Sequence, residues 1–213
     1  MSLVAEFTFN PFQENTYILH DETKECIIID PGCFTQGEKD KLAQFISDNE
    51  LKPVRLINTH CHLDHIFGNY FVSEKYGLEL EIHRGELPVL EAVPMVCKNY
   101  GIPFSEPEVK PGRFIEEGEE IKFGNTVLQT LFTPGHSPAS LSFFCEKDKY
   151  VIAGDVLFYG SIGRTDLPGG DFQTLISVIK EKIFLLGDDV TVYSGHGPST
   201  SVGFEKISNP FLQ

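Results

Sequence analysis

Seven consecutive residues, Thr59-His60-Cys61-His62-Leu63-Asp64-His65, constrain this chain more than any other stretch. They bring three imidazoles and a carboxylate together, the ligand types of zinc, iron and manganese sites. His60 and His62 are two positions apart. In extended backbone they point to one side and Cys61 to the other, so Cys61 reads as a filler rather than a nucleophile. The run before them, Pro53 to Asn58, reads as a buried strand. The run after them, Ile66 to Tyr76, reads as a helix closed by Gly77. A strand-to-helix loop holds ligands firmly and leaves them open to solvent.

Histidine usage strengthens this reading. Of the seven histidines in the chain, five fall in this segment and in two later ones around His136 and His196. The other two, His20 at a hairpin edge and His83 at a strand end, read as ordinary surface or turn residues. The 213 residues suit one domain, 1–213, and a hydrophobic content of 41% supplies a core. The formal charge of −14 repels nucleic acid and anionic membranes, and neither is expected as a partner. Five cysteines, Cys26, Cys33, Cys61, Cys97 and Cys145, form no Cys-x-x-Cys pair. With no export signal or membrane span in the sequence, they point to a reducing, cytoplasmic setting.

Strand signals run from Leu3 to Phe9, Asn15 to His20 and Glu25 to Asp30, with a hairpin turn at Asp21-Glu22-Thr23-Lys24. Asp30, before Pro31-Gly32, reads equally as a turn residue or as a buried partner to a metal-bound histidine. A helix from Gly37 to Glu50 carries Leu42, Phe45 and Ile46 at helical spacing. Residues 84–112 hold five prolines. They read as an irregular stretch, either a lid or a surface excursion with one short helix from Gly85 to Tyr100. Strands follow at Glu119 to Phe123, Thr126 to Phe132, Ser140 to Cys145 and Tyr150 to Ala153. Asp171 reads as the N-cap of a helix extending to Leu186. A last strand at Thr191 to Tyr193 precedes a short helix from Ser201 to Ile207.

Three further candidate ligands stand beside glycine after apolar strands: His136 in Pro134-Gly135-His136, Asp155 in Gly154-Asp155, and His196 in Ser194-Gly195-His196-Gly197. With His60, His62, Asp64 and His65 they are too many for one tetrahedral zinc. They suit two metals that share a carboxylate.

This four-part pattern resembles the metallo-β-lactamase superfamily, in order and over nearly the whole chain. The resemblance implies an α/β fold, a four-layer αββα sandwich of two mixed β-sheets with helices outside. It implies one metal held by His60, His62 and His136, a second by Asp64, His65 and His196, and Asp155 bridging both. The ions would be two divalent cations, zinc first, with iron or manganese as alternatives. Within the superfamily, Gly154-Asp155-Val156-Leu157-Phe158 followed by Gly160 to Asp171 resembles the short bacterial branch of the glyoxalase II-like, or hydroxyacylglutathione hydrolase-like, proteins. Larger glyoxalase II enzymes carry a C-terminal helical extension with glutathione contacts that this sequence does not match.

The expected activity is hydrolysis of a small 2-hydroxyacyl thioester, of the lactoylglutathione type, by a hydroxide held between the metals. Asp64 would orient that hydroxide as the catalytic carboxylate. Arg164 reads either as a substrate-binding anchor for a carboxylate or as a partner of Asp166. The alternative is a mononuclear iron persulfide dioxygenase acting on glutathione persulfide, a class with a similar Gly-Arg-Thr-Asp string. The full second ligand set favours the hydrolase. The sequence leaves oligomeric state open.

Overall fold

The computed structural model describes residues 1–104 and 106–213. The chain divides into two compact units. One comprises Met1–Ile115 with Lys122–Thr126, the other Glu116–Ile121 with Val127–Gln213.

The first unit holds strands β1 (Leu3–Phe9), β2 (Glu14–His20) and β3 (Glu25–Ile29), helix α1 (Gln36–Asp48), and strand β4 (Lys52–Ile57). Helices α2 (Leu63–Ile66) and α3 (Asn69–Tyr76), strand β5 (Leu80–Ile82), helix α4 (Leu87–Tyr100) and strand β6 (Pro111–Phe114) follow. The strands form one mixed sheet in the order β1-β2-β3-β4-β5-β6. Pairings are antiparallel up to β3 and parallel from β3 to β6. Each parallel step needs a crossover, and α1, α2 with α3, and α4 provide them. Ile18, Cys26, Ile28, Leu56, Leu80 and Ile82 of the sheet share one core with Leu42, Ile46, Val72, Leu90, Val93 and Cys97 of the helices. Tyr17, Leu19, Ile27, Ile29 and Ile57, at alternate positions, are equally buried. Burial on both faces explains why these strands read as continuous apolar runs.

Local chemistry starts and stops the elements. Thr35 and Glu38 form a reciprocal capping box on α1. At the β2–β3 turn Asp21 accepts the Thr23 amide at 2.9 Å, as an Asx-turn does. Its other oxygen accepts the Asn125 amide at 2.7 Å and the Thr126 hydroxyl at 2.9 Å.

Two expectations need correction here. The helix expected over Ile66 to Tyr76 is broken: α2 ends at Ile66 and α3 starts at Asn69. Gly68 passes so close to the β3 exit that its amide donates to Pro31 O at 2.6 Å. A Cβ there would be driven onto Cys33 Sγ and Pro31 O. Of residues 84–112, Ser105 lies outside the described residues, and the stretch before it is more regular than its prolines suggest, carrying the helix expected there. Helix α4 spans 14 residues, with Pro88 in its first turn, where no amide bond is lost. Pro94 lies inside it, and the helix closes at Gly101 in the left-handed conformation, φ 68°.

The second unit contains strands β7 (Glu120–Phe123, whose last two residues belong to the first unit), β8 (Thr126–Phe132, whose first residue belongs to the first unit), β9 (Leu141–Cys145) and β10 (Tyr150–Gly154). A small hairpin follows, β11 (Leu157–Phe158) with β12 (Ser161–Ile162). Then come α5 (Phe172–Glu181), β13 (Thr191–Ser194), β14 (Thr200–Ser201) and α6 (Val202–Ser208). The second mixed sheet runs β14-β13-β10-β9-β8-β7, with β10 and β13 parallel. Its core joins Val151, Ala153 and Val192 to Leu175, Ile179, Ile183 and Val202. Asp171 caps α5 by accepting the Thr174 amide at 2.7 Å. The helix stops at Glu181 rather than Leu186, and a 3-10 turn, Ile183–Leu185, completes the apolar face. Two mixed sheets with helices packed on them are the expected fold class. Among the described residues no helix is long and apolar enough to cross a membrane.

Candidate metal centre

In the first unit the loop carrying the histidines follows β4, and His62, the N-cap of α2, is extended at φ −64°, ψ 151°. The alternation expected from two-residue spacing holds. The His60 and His62 rings lie 4.8 Å apart at 86°, whereas Cys61 belongs to the apolar core. The Cys61 amide donates to the buried Glu86 carboxylate at 2.9 Å. Burial, with Glu86 and Asp30 nearby, pushes the Cys61 thiol well above its ordinary range, so it is no nucleophile. One helical turn then returns His65 beneath His60, with ring centroids 4.1 Å apart. Asp64 Oδ2 lies 3.9 Å from His65 Nε2.

Asp30 is a buried partner of His65 rather than a plain turn residue. Its Oδ2 lies 3.1 Å from His65 Nδ1 and accepts the Thr59 hydroxyl at 2.6 Å. Its Oδ1 accepts the Thr59 amide at 2.7 Å and the Asn58 side-chain amide at 3.2 Å. Asp30 sits at φ 49°, a left-handed conformation that aspartate and asparagine tolerate better than most residues. Asp30, His60 and His65 together form a buried group able to hold a cation, with ligand atoms within 4.8 Å of one another. Glu14 lies close behind, its Oε1 3.9 Å from His65 Nδ1. Complete burial raises its carboxyl well above the usual range, although the His65 charge opposes this. Nothing in Pro11-Phe12-Gln13-Glu14 marks that residue in advance. Of the two remaining histidines, His83 accepts the Gly85 amide at 3.1 Å and caps a turn, as its strand-end reading implies.

In the second unit three loops meet. His136 follows β8 in a turn that Gly135 makes possible. At φ 126° that glycine lies against the Leu175 backbone of α5 and has no room for a side chain. His136 Nδ1 lies 2.7 Å from the Arg164 carbonyl, and its Nε2 lies 3.4 Å from Asp155 Oδ2. Asp155 stands at the tip of β10, just after Gly154 accepts the Gly195 amide at 2.9 Å. The same Oδ2 lies 3.5 Å from His196 Nε2. Asp155 is thus set between two imidazoles.

The donor chemistry fits cations. His60 Nδ1 meets Thr59 Oγ1 at 3.0 Å, His65 Nδ1 meets Asp30, and His136 Nδ1 meets a carbonyl. Holding one ring nitrogen orients the ring and leaves Nε2 as the ligand atom. Arg164 pairs with Asp166 through two contacts of 2.7 Å at the surface. The Arg164 hydrogen bonds hold the Asp166 carboxyl down at about 2.

A family model described as the metallo-beta-lactamase superfamily matches residues 9–196. The chain belongs to that superfamily. It is 38% identical over 202 residues to the hydroxyacylglutathione hydrolase GloC of Haemophilus influenzae, covering 94% of this chain and 93% of that one. It is 42% identical over 205 residues to the probable metallo-hydrolase YqgX of Bacillus subtilis, covering 95% and 93%. Among solved structures, BLEG-1 B3 metallo-beta-lactamase gives a TM-score of 0.90 at 34% identity, covering 99% and 100%. TTHA1623, solved in a di-iron-bound form, gives 0.84 at 35%, covering 98% and 100%. ETHE1 from Myxococcus xanthus gives 0.78 at 25%, covering 98% and 83%. The superfamily expected from the four motifs, and its fold, are therefore the ones found.

Proposed function

We propose that this protein is a metal-dependent hydrolase of small 2-hydroxyacyl thioesters, of the glyoxalase II type. In this reading His60, His62 and His136 hold one divalent cation. Asp64, His65 and His196 hold a second, and Asp155 is shared. Two such cations, zinc or iron, would supply a water-derived nucleophile of lowered pKa and a Lewis acid for the thioester carbonyl. The observation that carries the reading is the common state of His60, His65 and His136, each with Nδ1 engaged by the protein. Imidazoles fixed in this way are poor proton carriers and good ligands. The likeness to a hydroxyacylglutathione hydrolase supports the thioester assignment.

The chain's own residues do the rest. Asp64 is partly exposed, with its carboxylate 3.9 Å from His65 Nε2, and it would orient the attacking water. Asp155, between His136 and His196, balances charge. The leaving thiolate needs no strong acid, because thiols ionise far more readily than alcohols. Arg164 offers a carboxylate anchor at the surface, in competition with Asp166. No disulfide links any of the five cysteines, which suits the reducing cytoplasm where such thioesters occur.

The likeness to ETHE1 keeps one second reading, the mononuclear iron persulfide dioxygenase. One preparation of measured metal content separates the two. It is assayed for lactoylglutathione cleavage and for oxygen uptake with glutathione persulfide. Thioester turnover at close to two metals per chain is expected. Persulfide-dependent oxygen uptake without thioester turnover, at one iron per chain, would replace the hydrolase with the dioxygenase.

A further inference from the structure

Helix α6 carries a carboxylate that the reaction as read above does not use. Glu205 is fully buried, and both its oxygens are engaged. The Gly160 amide donates to Oε1 and Oε2, each at 3.1 Å. The Thr200 hydroxyl donates to Oε1 at 2.6 Å, and the Asn209 side-chain amide donates to Oε2 at 2.7 Å. That Asn209 amide nitrogen also donates to Ser161 O at 2.9 Å.

Two of the segments gathered in this way adjoin the His196 loop. Gly160 and Ser161 belong to the β11–β12 hairpin. At its start Leu157 O accepts the Ser194 hydroxyl at 2.7 Å. Its next residue, Phe158, sets its ring edge-on to the His196 ring at 6.1 Å and 89°. Thr200 opens β14, directly after the His196 loop. The loop is therefore tied at its entry by Ser194 and at its exit by Thr200. One carboxylate holds both the exit and the hairpin beside the ring.

We propose that Glu205 is a positioning residue for His196, holding the imidazole in place for the cation it shares with Asp64 and His65. For that cation alone, the inference rests on the two-metal reading. A carboxylate is required because every partner is a donor. Glutamine keeps the volume but has one acceptor oxygen, and its amino group would oppose a donor. Glu205→Gln thus breaks the clamp without emptying the core.

Two measurements on the full chain test this. Amide hydrogen exchange at Gly195 to Gly197 should quicken at least about tenfold in E205Q, with the β10 amides unchanged, because a loop that loses its ties opens locally. In zinc titrations against a chromogenic chelator, the second equivalent should weaken about ten- to a hundredfold, as expected when a group supporting a ligand is lost. The first equivalent should stay within about twofold, since the clamp touches none of the histidines His60, His62 and His136 read as holding that cation. Unchanged exchange at Gly195 to Gly197, or equal weakening of both equivalents, would overturn the proposal. If E205Q does not fold, Thr200→Val removes one tie and must show smaller changes of the same pattern. A wild-type chain that binds only one zinc defeats the two-metal reading, and the exchange result still decides the clamp.

Discussion

Asp30→Asn tests the support of the metal loop most directly. Asparagine has nearly the volume of aspartate and tolerates the left-handed backbone at φ 49°, so neither a cavity nor strain enters the comparison. The retained oxygen can still accept the Thr59 and Asn58 amides. The new amino group replaces Oδ2, which meets His65 Nδ1 and the Thr59 hydroxyl. Two hydrogen bonds to a buried carboxylate are lost, and each contributes roughly 1.5–3 kcal/mol. Stability of the metal-free protein should fall by about 3–6 kcal/mol, a large part of the ~5–15 kcal/mol typical of a folded domain. His65 also loses the group that fixes its ring, so metal affinity should fall about 10- to 100-fold. Urea unfolding of chelator-treated protein gives the first number, and competition with a chromogenic chelator gives the second. A variant within ~0.5 kcal/mol of wild type, with unchanged metal affinity, would show that Asp30 does not hold His65 as argued.

Gly68→Ala should destabilise by about 1–3 kcal/mol through overpacking against Cys33 and Pro31, measured by thermal unfolding. Asp21 gives a pH signature. Burial raises its carboxyl, but hydrogen bonds from Thr23, Asn125 and Thr126 outweigh this and hold it below the ordinary range. A depressed folded-state pKa stabilises the protein above the unfolded value, and that contribution is lost as pH falls through the folded value. Urea midpoints should therefore drop on acidification below about pH 4, and Asp21→Asn should flatten that part of the profile. Arg164→Ala should raise KM for an anionic thioester about tenfold, the cost of one charge-assisted contact, with kcat little changed. An unchanged KM would leave Arg164 as the partner of Asp166 alone.

The candidate ligands were legible in the sequence because their signals are local. Imidazoles two and three positions apart, and glycine or proline at the ends of apolar strands, mark His60, His62, His65, His136, Asp155 and His196 without any distant contact. The same holds for the Asp21 turn and the Asp171 cap, where a short side chain bonds an amide two or three residues away. Contacts across long separations left no such mark. Asp30 reads equally as a turn residue until the fold brings it to His65, 35 positions on. Nothing near Glu14, Glu86 or Glu205 in the sequence marks them, and only packing buries them against backbone amides or the His65 ring. The break at Gly68 has the same origin, since periodicity through Ile66 to Tyr76 is blind to a neighbouring strand exit at hydrogen-bonding distance. Local pattern carries side-chain identity and spacing, whereas burial of a charge and close approach of backbones depend on which distant segments the tertiary structure brings together.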